Sequence, residues 1–243
     1  MPRPLLSGKQ LLVALGVWLL ASAVAAGATV FALRSLAPDS ANDPNTLSPI
    51  IVAEVYALLI AALAIVLRPH WRAIVALHRP AARDIALAAV ACAAAYVVTG
   101  VFQSLVAPRS WAAARDVLPA MFSDDGRLAS AGPVMAALIL VRACVLAAIG
   151  EEILFRGALY TWLRQRRSAT TTIVTTAAAF AAIHSFPPIL PLAFAIGIGF
   201  GWIRERSGST VPLIIVHALH NALMIALSYA LTGWTARLPA WGS

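Results

Sequence analysis

The sequence predicts an all-α, polytopic membrane helix bundle of about seven transmembrane helices, eight if one long segment is interrupted. Composition is the first observation behind this. Of 243 residues, 61% are hydrophobic and 12% charged, against about 45–50% and roughly 25% in soluble domains. The second is distribution: mean hydropathy is +0.84, and the apolar excess runs along the whole chain instead of gathering in one core. The third is length. Apolar runs near the ~20 residues that span ~30 Å of hydrocarbon recur along the chain. Lipid is therefore the main solvent.

The first helix is expected over Leu11–Leu33. Arg3 and Lys9 precede it and Ala21–Ala28 is Ala-rich, which imitates a signal peptide. Its apolar run exceeds the usual length of about 7–15 residues, so a retained helix is expected. Pro49–Leu67 and Ile85–Ala107 follow. The stretch from Pro108 to Gly132 is the longest polar one, with Trp111 placed as an interfacial anchor. The fourth helix is expected over Pro133–Leu163, and a break near Gly150 would raise the total to eight. Thr170–Phe186 comes next, closed by Pro187, Pro188 and Pro191. Leu190–Ile203 carries Gly197, Gly199 and Gly201 as a small-residue face for close packing. Val211–Leu231 is last. The expected organisation is 1–132 as membrane helices with an outer loop, 133–232 as a membrane core, and 233–243 as a short tail.

A formal net charge of +8 raises the question of nucleic acid, but no Lys/Arg run sits in a soluble domain. The basic residues fit orientation by cytoplasmic loops instead. Arg3 and Lys9, Arg68, Arg72, Arg79 and Arg83, Arg164, Arg166 and Arg167, and Arg204 and Arg206 all fall on one face of a seven-helix scheme. Arg34, Arg109, Arg115, Arg127 and Arg237 fall on the other, mixed with Asp39, Asp43, Asp116, Asp124 and Asp125. The balance of eleven to five predicts a cytoplasmic amino terminus in an integral, multi-pass cell-membrane protein. Cys92 and Cys144 lie in apolar segments and read as small apolar residues; they lack zinc-ligand spacing.

Charge within the spans points to function. An Arg or Asp at a helix centre costs about 2.5–3.5 kcal/mol on the insertion scale, so such a residue faces the bundle interior or a water-filled cavity. Gly150-Glu151-Glu152-Ile153-Leu154-Phe155-Arg156-Gly157 carries three formal charges within six residues. Glu152 and Arg156 share a helix face and can pair. Glu151 sits about 100° away, without a partner one turn on, and suits a general base. In the fifth helix Phe180 is placed to buttress His184. In the seventh, His217 and Asn221 project from one face, while His220 points elsewhere.

Amide hydrolysis fits this set, because it needs a deprotonated water and donors aimed at the oxyanion. In one arrangement Glu151 with His184 activates water while His217 and Asn221 stabilise the oxyanion. In the other, Glu151, His184 and His217 hold one zinc ion with an open fourth position. Both remain open from the sequence. Depths estimated from the helix rise differ among the three helices, so tilt, or other helix boundaries, must bring the groups level, which a kink near Gly150 or Gly157 could do.

The ordered motifs Glu151-Glu152-x-x-x-Arg156, Phe180-x-x-x-His184 and His217-x-x-x-Asn221 resemble those of the CPBP intramembrane protease family. That family includes CAAX prenyl endopeptidases and the bacteriocin-processing and immunity-type Abi proteins. The similarity spans roughly Val134 to Leu231. It implies a helical, glutamate-dependent peptidase, often labelled a metalloprotease, with Glu151, His184, His217 and Asn221 catalytic and Glu152 and Arg156 supporting. Its substrate would be a membrane-associated peptide or protein. Two rivals stand beside this reading: a non-catalytic scaffold or bacteriocin-immunity protein that keeps the motif, and a transporter using the same groups as a proton relay. The internal repeat common in transporters is not evident.

Overall fold

The computed structural model describes residues 5–37, 43–68, 70–106, 132–184 and 189–235. Among them the chain forms helices and no strand. We number these α1 (Gly8–Leu36), α2 (Pro44–Val66), α3 (Trp71–Val75), α4 (Ala82–Val106), α5 (Pro133–Arg164), α6 (Ala169–Ile183), α7 (Leu190–Ser207) and α8 (Val211–Thr235). The chain is an all-helical, multi-pass membrane bundle. Among the described residues four helices are long and apolar enough to cross a membrane, namely α1, α2, α4 and α5, while α6 and Val211–Leu227 of α8 are shorter apolar helices.

Seven of these helices coincide with the predicted segments. The additional one is α3, a five-residue helix too short to leave a hydropathy signal. No break occurs at Gly150. Pro49, read as a helix start, lies inside α2, which begins at Pro44. Pro191, read as closing the fifth helix, opens α7 within its first turn, where a missing N–H is harmless. Phe186, Pro187, Pro188, Trp111 with residues 108–131 of its polar stretch, and the tail from 236 lie outside the described residues.

Local chemistry sets the helix ends. Ser7 and Gln10 form a reciprocal capping box at α1. Ser168 accepts from the Thr171 N–H to cap α6, and Gly208, at φ 68°, closes α7 in the left-handed conformation. α5 is unusual in its winding. An α-helical turn over Ala147–Glu152 is flanked by π-helical stretches at Val141–Leu146 and Ile153–Leu159. Such turns are rare and concentrate at functional sites. Here they bracket the Glu pair.

Three clusters hold the bundle together, each with α5 or α7 in it. Leu11, Leu59, Leu63, Ile74, Val75 and Ile153 join α1, α2, α3 and α5. Ala88, Cys92, Ile196, Phe200, Leu213 and Val216 join α4, α7 and α8. Phe155, Phe180, Ala181 and Ala193 join α5, α6 and α7. Large apolar side chains such as Leu12, Phe31, Val97 and Leu105 face outward, as a lipid-embedded surface requires.

The α7 glycines serve two neighbours instead of the single face expected. A Cβ on Gly197 would come within 2.9 Å of Ala177 Cα in α6, and one on Gly199 within 2.9 Å of Ala91 Cβ in α4. Gly201 again faces α6, at Ile173. Gly197→Val is therefore expected to cost about 1–3 kcal/mol by overpacking, read as a lower unfolding midpoint in detergent. Gly16→Val, with nothing within 4 Å of an added Cβ, should leave the midpoint near wild type.

One end of the bundle is joined through main-chain carbonyls. Thr161 Oγ1 donates to Ile74 O at 2.7 Å and Thr210 Oγ1 to Val75 O at 2.7 Å. The Thr210 N–H donates to Ala76 O at 3.0 Å, and Ser209 Oγ to His78 O at 2.8 Å. Arg166 donates to Leu6 O, and Arg164 pairs with Glu205. The chain segments that carry the four basic clusters thus meet at the same end.

Candidate active site

Glu151, Glu152 and Arg156 project from the centre of α5 into the bundle, with 6%, 0% and 0% of their surface exposed. Burying charges costs several kcal/mol per ion unless partners compensate. Glu152 Oε1 accepts from Arg156 Nη1 at 2.9 Å and from His217 Nδ1 at 2.8 Å. The guanidinium also lies 4.2 Å from the Phe180 ring centroid and 5.5 Å from that of Phe200. One carboxylate and two ring faces hold this cation.

Glu151 has different surroundings. The Tyr56 hydroxyl donates to its Oε1 at 2.5 Å, while Oε2 lies 3.9 Å from His217 Nε2. The Oε2 atoms of both glutamates are buried and accept no hydrogen bond from the protein. His217 is thus set between two carboxylates. A carboxylate only accepts, so the contact with Glu152 assigns the proton to Nδ1 and turns Nε2 toward Glu151. The direct Glu152–His217 contact also brings α5 and α8 level at the site.

Beside this cluster lies a cavity of about 210 Å³, lined by Phe180, His184, His217, His220 and Asn221 together with apolar side chains that include Leu192, Ile196 and Met224. His184 caps the end of α6. Its Nδ1–H donates to Phe180 O at 2.8 Å, and the Phe180 ring stands 4.7 Å from the imidazole. His184 makes no hydrogen bond to Glu151. His220, expected to point away, lines the same cavity. It accepts from the Tyr96 hydroxyl at 2.6 Å and donates to Asn221 Oδ1 at 3.1 Å. Asn221 Nδ2 donates to Ala143 O, at 2.8 Å, in the first π stretch of α5.

The zinc arrangement fits these positions poorly. Among the described residues no three His, Cys, Asp or Glu side chains gather closely enough to hold one metal ion. Glu151 and His217 approach each other, and His184 stands outside that pair, its Nδ1–H bound to Phe180 O. Cys92 and Cys144 are both free thiols.

Three contributors were missed in the sequence. Tyr56 and Tyr96 come from α2 and α4, where no motif is legible, and Phe200 reads as an ordinary apolar residue of α7. A phenol near the middle of a span, as at Tyr56, was the available signal, since tyrosine in membrane helices favours the interfaces.

Comparison with curated proteins and with solved structures gives no match. Residues 133–223 match the family described as type II CAAX prenyl endopeptidase Rce1-like, in agreement with the CPBP resemblance that the motifs of α5, α6 and α8 carry.

Proposed function

We propose that the chain is an intramembrane endopeptidase that hydrolyses a peptide bond of a membrane-associated protein or peptide. The observation that carries this reading is the 3.9 Å spacing between Glu151 Oε2 and His217 Nε2. A water hydrogen-bonded to both atoms fits that separation. Glu151 takes its proton, and the oxygen attacks the scissile carbonyl presented from the adjoining cavity. His217, held by Glu152 through Nδ1, stays aligned on the water. When its ring carries both protons, Nε2–H donates to the oxyanion. His184 and Asn221 line the space for the tetrahedral intermediate, whose C–N bond breaks as Glu151 passes the proton it took from water to the leaving amine. This pairs Glu151 with His217 more closely than with His184. No step is assigned to a metal ion, and dialysis against chelator is expected to leave the rate unchanged; loss reversed by zinc would overturn that.

The experiment compares peptide termini in membranes from cells carrying wild type or Glu151→Gln. A terminus present with wild type and missing with the variant names both activity and target. Identical termini would favour the scaffold. A prenylated peptide ending in a CAAX sequence is the first synthetic probe, following the family description.

We also propose that the amino terminus is cytoplasmic, because the joined end of the bundle carries the basic clusters and positive loops stay inside. A cysteine placed at Lys9 should react with a membrane-impermeant thiol reagent in inside-out vesicles and stay unlabelled in intact cells.

A further inference from the structure

We infer that Tyr56 is a positioning residue for Glu151, supplied by the part of the chain outside the family match. The inference rests on the reading of Glu151 as the base. Two contacts carry it. The first is the hydrogen bond from the Tyr56 hydroxyl to Glu151 Oε1 at 2.5 Å, between residues 95 apart in the chain. The second is the seat of the ring. Gly150 lies next to the base, and a Cβ there would come within 3.0 Å of Tyr56 Cδ1 and 3.5 Å of Leu59 Cδ2. A side chain at 150 would have to displace the phenol ring from α5 by a few tenths of an ångström.

The consequence is a division of labour between the two oxygens of one carboxylate. A free carboxylate presents either oxygen through rotation about its last torsion, which is broad and roughly two-fold. With Oε1 occupied by the phenol, Oε2 is the oxygen left facing His217 Nε2 at 3.9 Å. Glu152 also has one oxygen engaged and the other free, but its partners are charged or titratable and not a phenol. Its Oε1 is shared by Arg156 and His217, which makes it a holder of charge. Tyr56 thereby selects the oxygen that works, while α2 contributes no group to the cavity lining.

The test uses the full-length protein in lipid nanodiscs and Tyr56→Phe, which keeps the ring on Gly150 and removes only the donor. On a synthetic peptide spanning the terminus lost in Glu151→Gln, kcat is expected to fall about 10- to 100-fold, the range of a misplaced catalytic group, with KM within about twofold. A purely structural tyrosine would leave kcat unchanged, which overturns the inference. The second measurement does not need turnover. The chain has four tyrosines, so their ζ-carbon NMR resonances can be resolved. The Tyr56 resonance should move in Glu151→Ala, which removes the acceptor, and hold still in Glu54→Ala; no movement in Glu151→Ala overturns the hydrogen bond itself. An inactive Glu151→Gln with a normal Tyr56→Phe removes the role of Tyr56 alone. An active Glu151→Gln removes the proposed reaction and this inference together.

Discussion

Glu151→Gln is expected to slow peptide cleavage by about 10²–10⁴-fold, the range attributed to a positioned general base, without unfolding the protein. Gln keeps the size of Glu and an oxygen that can accept from Tyr56. The residue takes no part in the Glu152–Arg156 pair, so the buried cation keeps its partner. The amide cannot accept a proton from water, and that is the loss that matters. The measurement is the rate at which the specific terminus appears, with the thermal midpoint followed in parallel. An unchanged midpoint with a collapsed rate separates chemistry from folding. A rate within a few-fold of wild type would remove Glu151 from the reaction.

Arg156→Ala is expected to have the largest effect on stability, a loss of about 3–5 kcal/mol, typical of breaking a buried ion pair on one side. Both side chains of that pair are fully buried. The substitution strands Glu152 with His217 as its remaining partner and opens the space between Phe180 and Phe200. Activity should fall as well, because His217 is aligned through Glu152. A comparison within the same protein makes the point measurable. Arg164 pairs with Glu205 at 3.0 Å, but with side chains 45% and 32% exposed, so Arg164→Ala should cost under about 1 kcal/mol. Chemical unfolding in detergent would rank the two. Equal losses would mean that burial does not govern the Arg156 pair.

The architecture was largely legible because membrane helices announce themselves by composition. Seven of the helices lie on the apolar runs, since no other backbone arrangement in lipid satisfies its own hydrogen bonds along one segment. What escaped was short or depended on tertiary context. α3 has five residues and no hydropathy contrast. The π winding of α5 has no compositional signature, although it brackets the residues that the sequence picks out first. Glu151, Glu152, Arg156, His184, His217 and Asn221 could be named because charge and imidazole are costly in a span. Their partners could not be paired from spacing alone. One of the two arrangements open from the sequence set His184 beside Glu151, whereas the packing of α8 against α5 brings His217 there. Tyr56 and Tyr96 escaped because an amphipathic ring in an apolar helix carries little penalty and hence little signal. Helical-wheel reasoning turned His220 away from the site, yet the cavity is broad enough to be lined by neighbouring positions of α8.

The joint around α3 bears on how the two halves of the chain can change. Ser209, Thr210 and Thr161 supply the donors, and the acceptors are the main-chain oxygens of Ile74, Val75, Ala76 and His78. Every amino acid carries such an oxygen. The seam is therefore indifferent to side-chain identity on the α3 side and more demanding on the other: a new residue at His78 leaves its half of the seam intact, while losing the hydroxyl of Thr210 removes one of the four bonds. A docking site that reads shape and not letters lets the front half of the chain diverge while still being recognised by the back half.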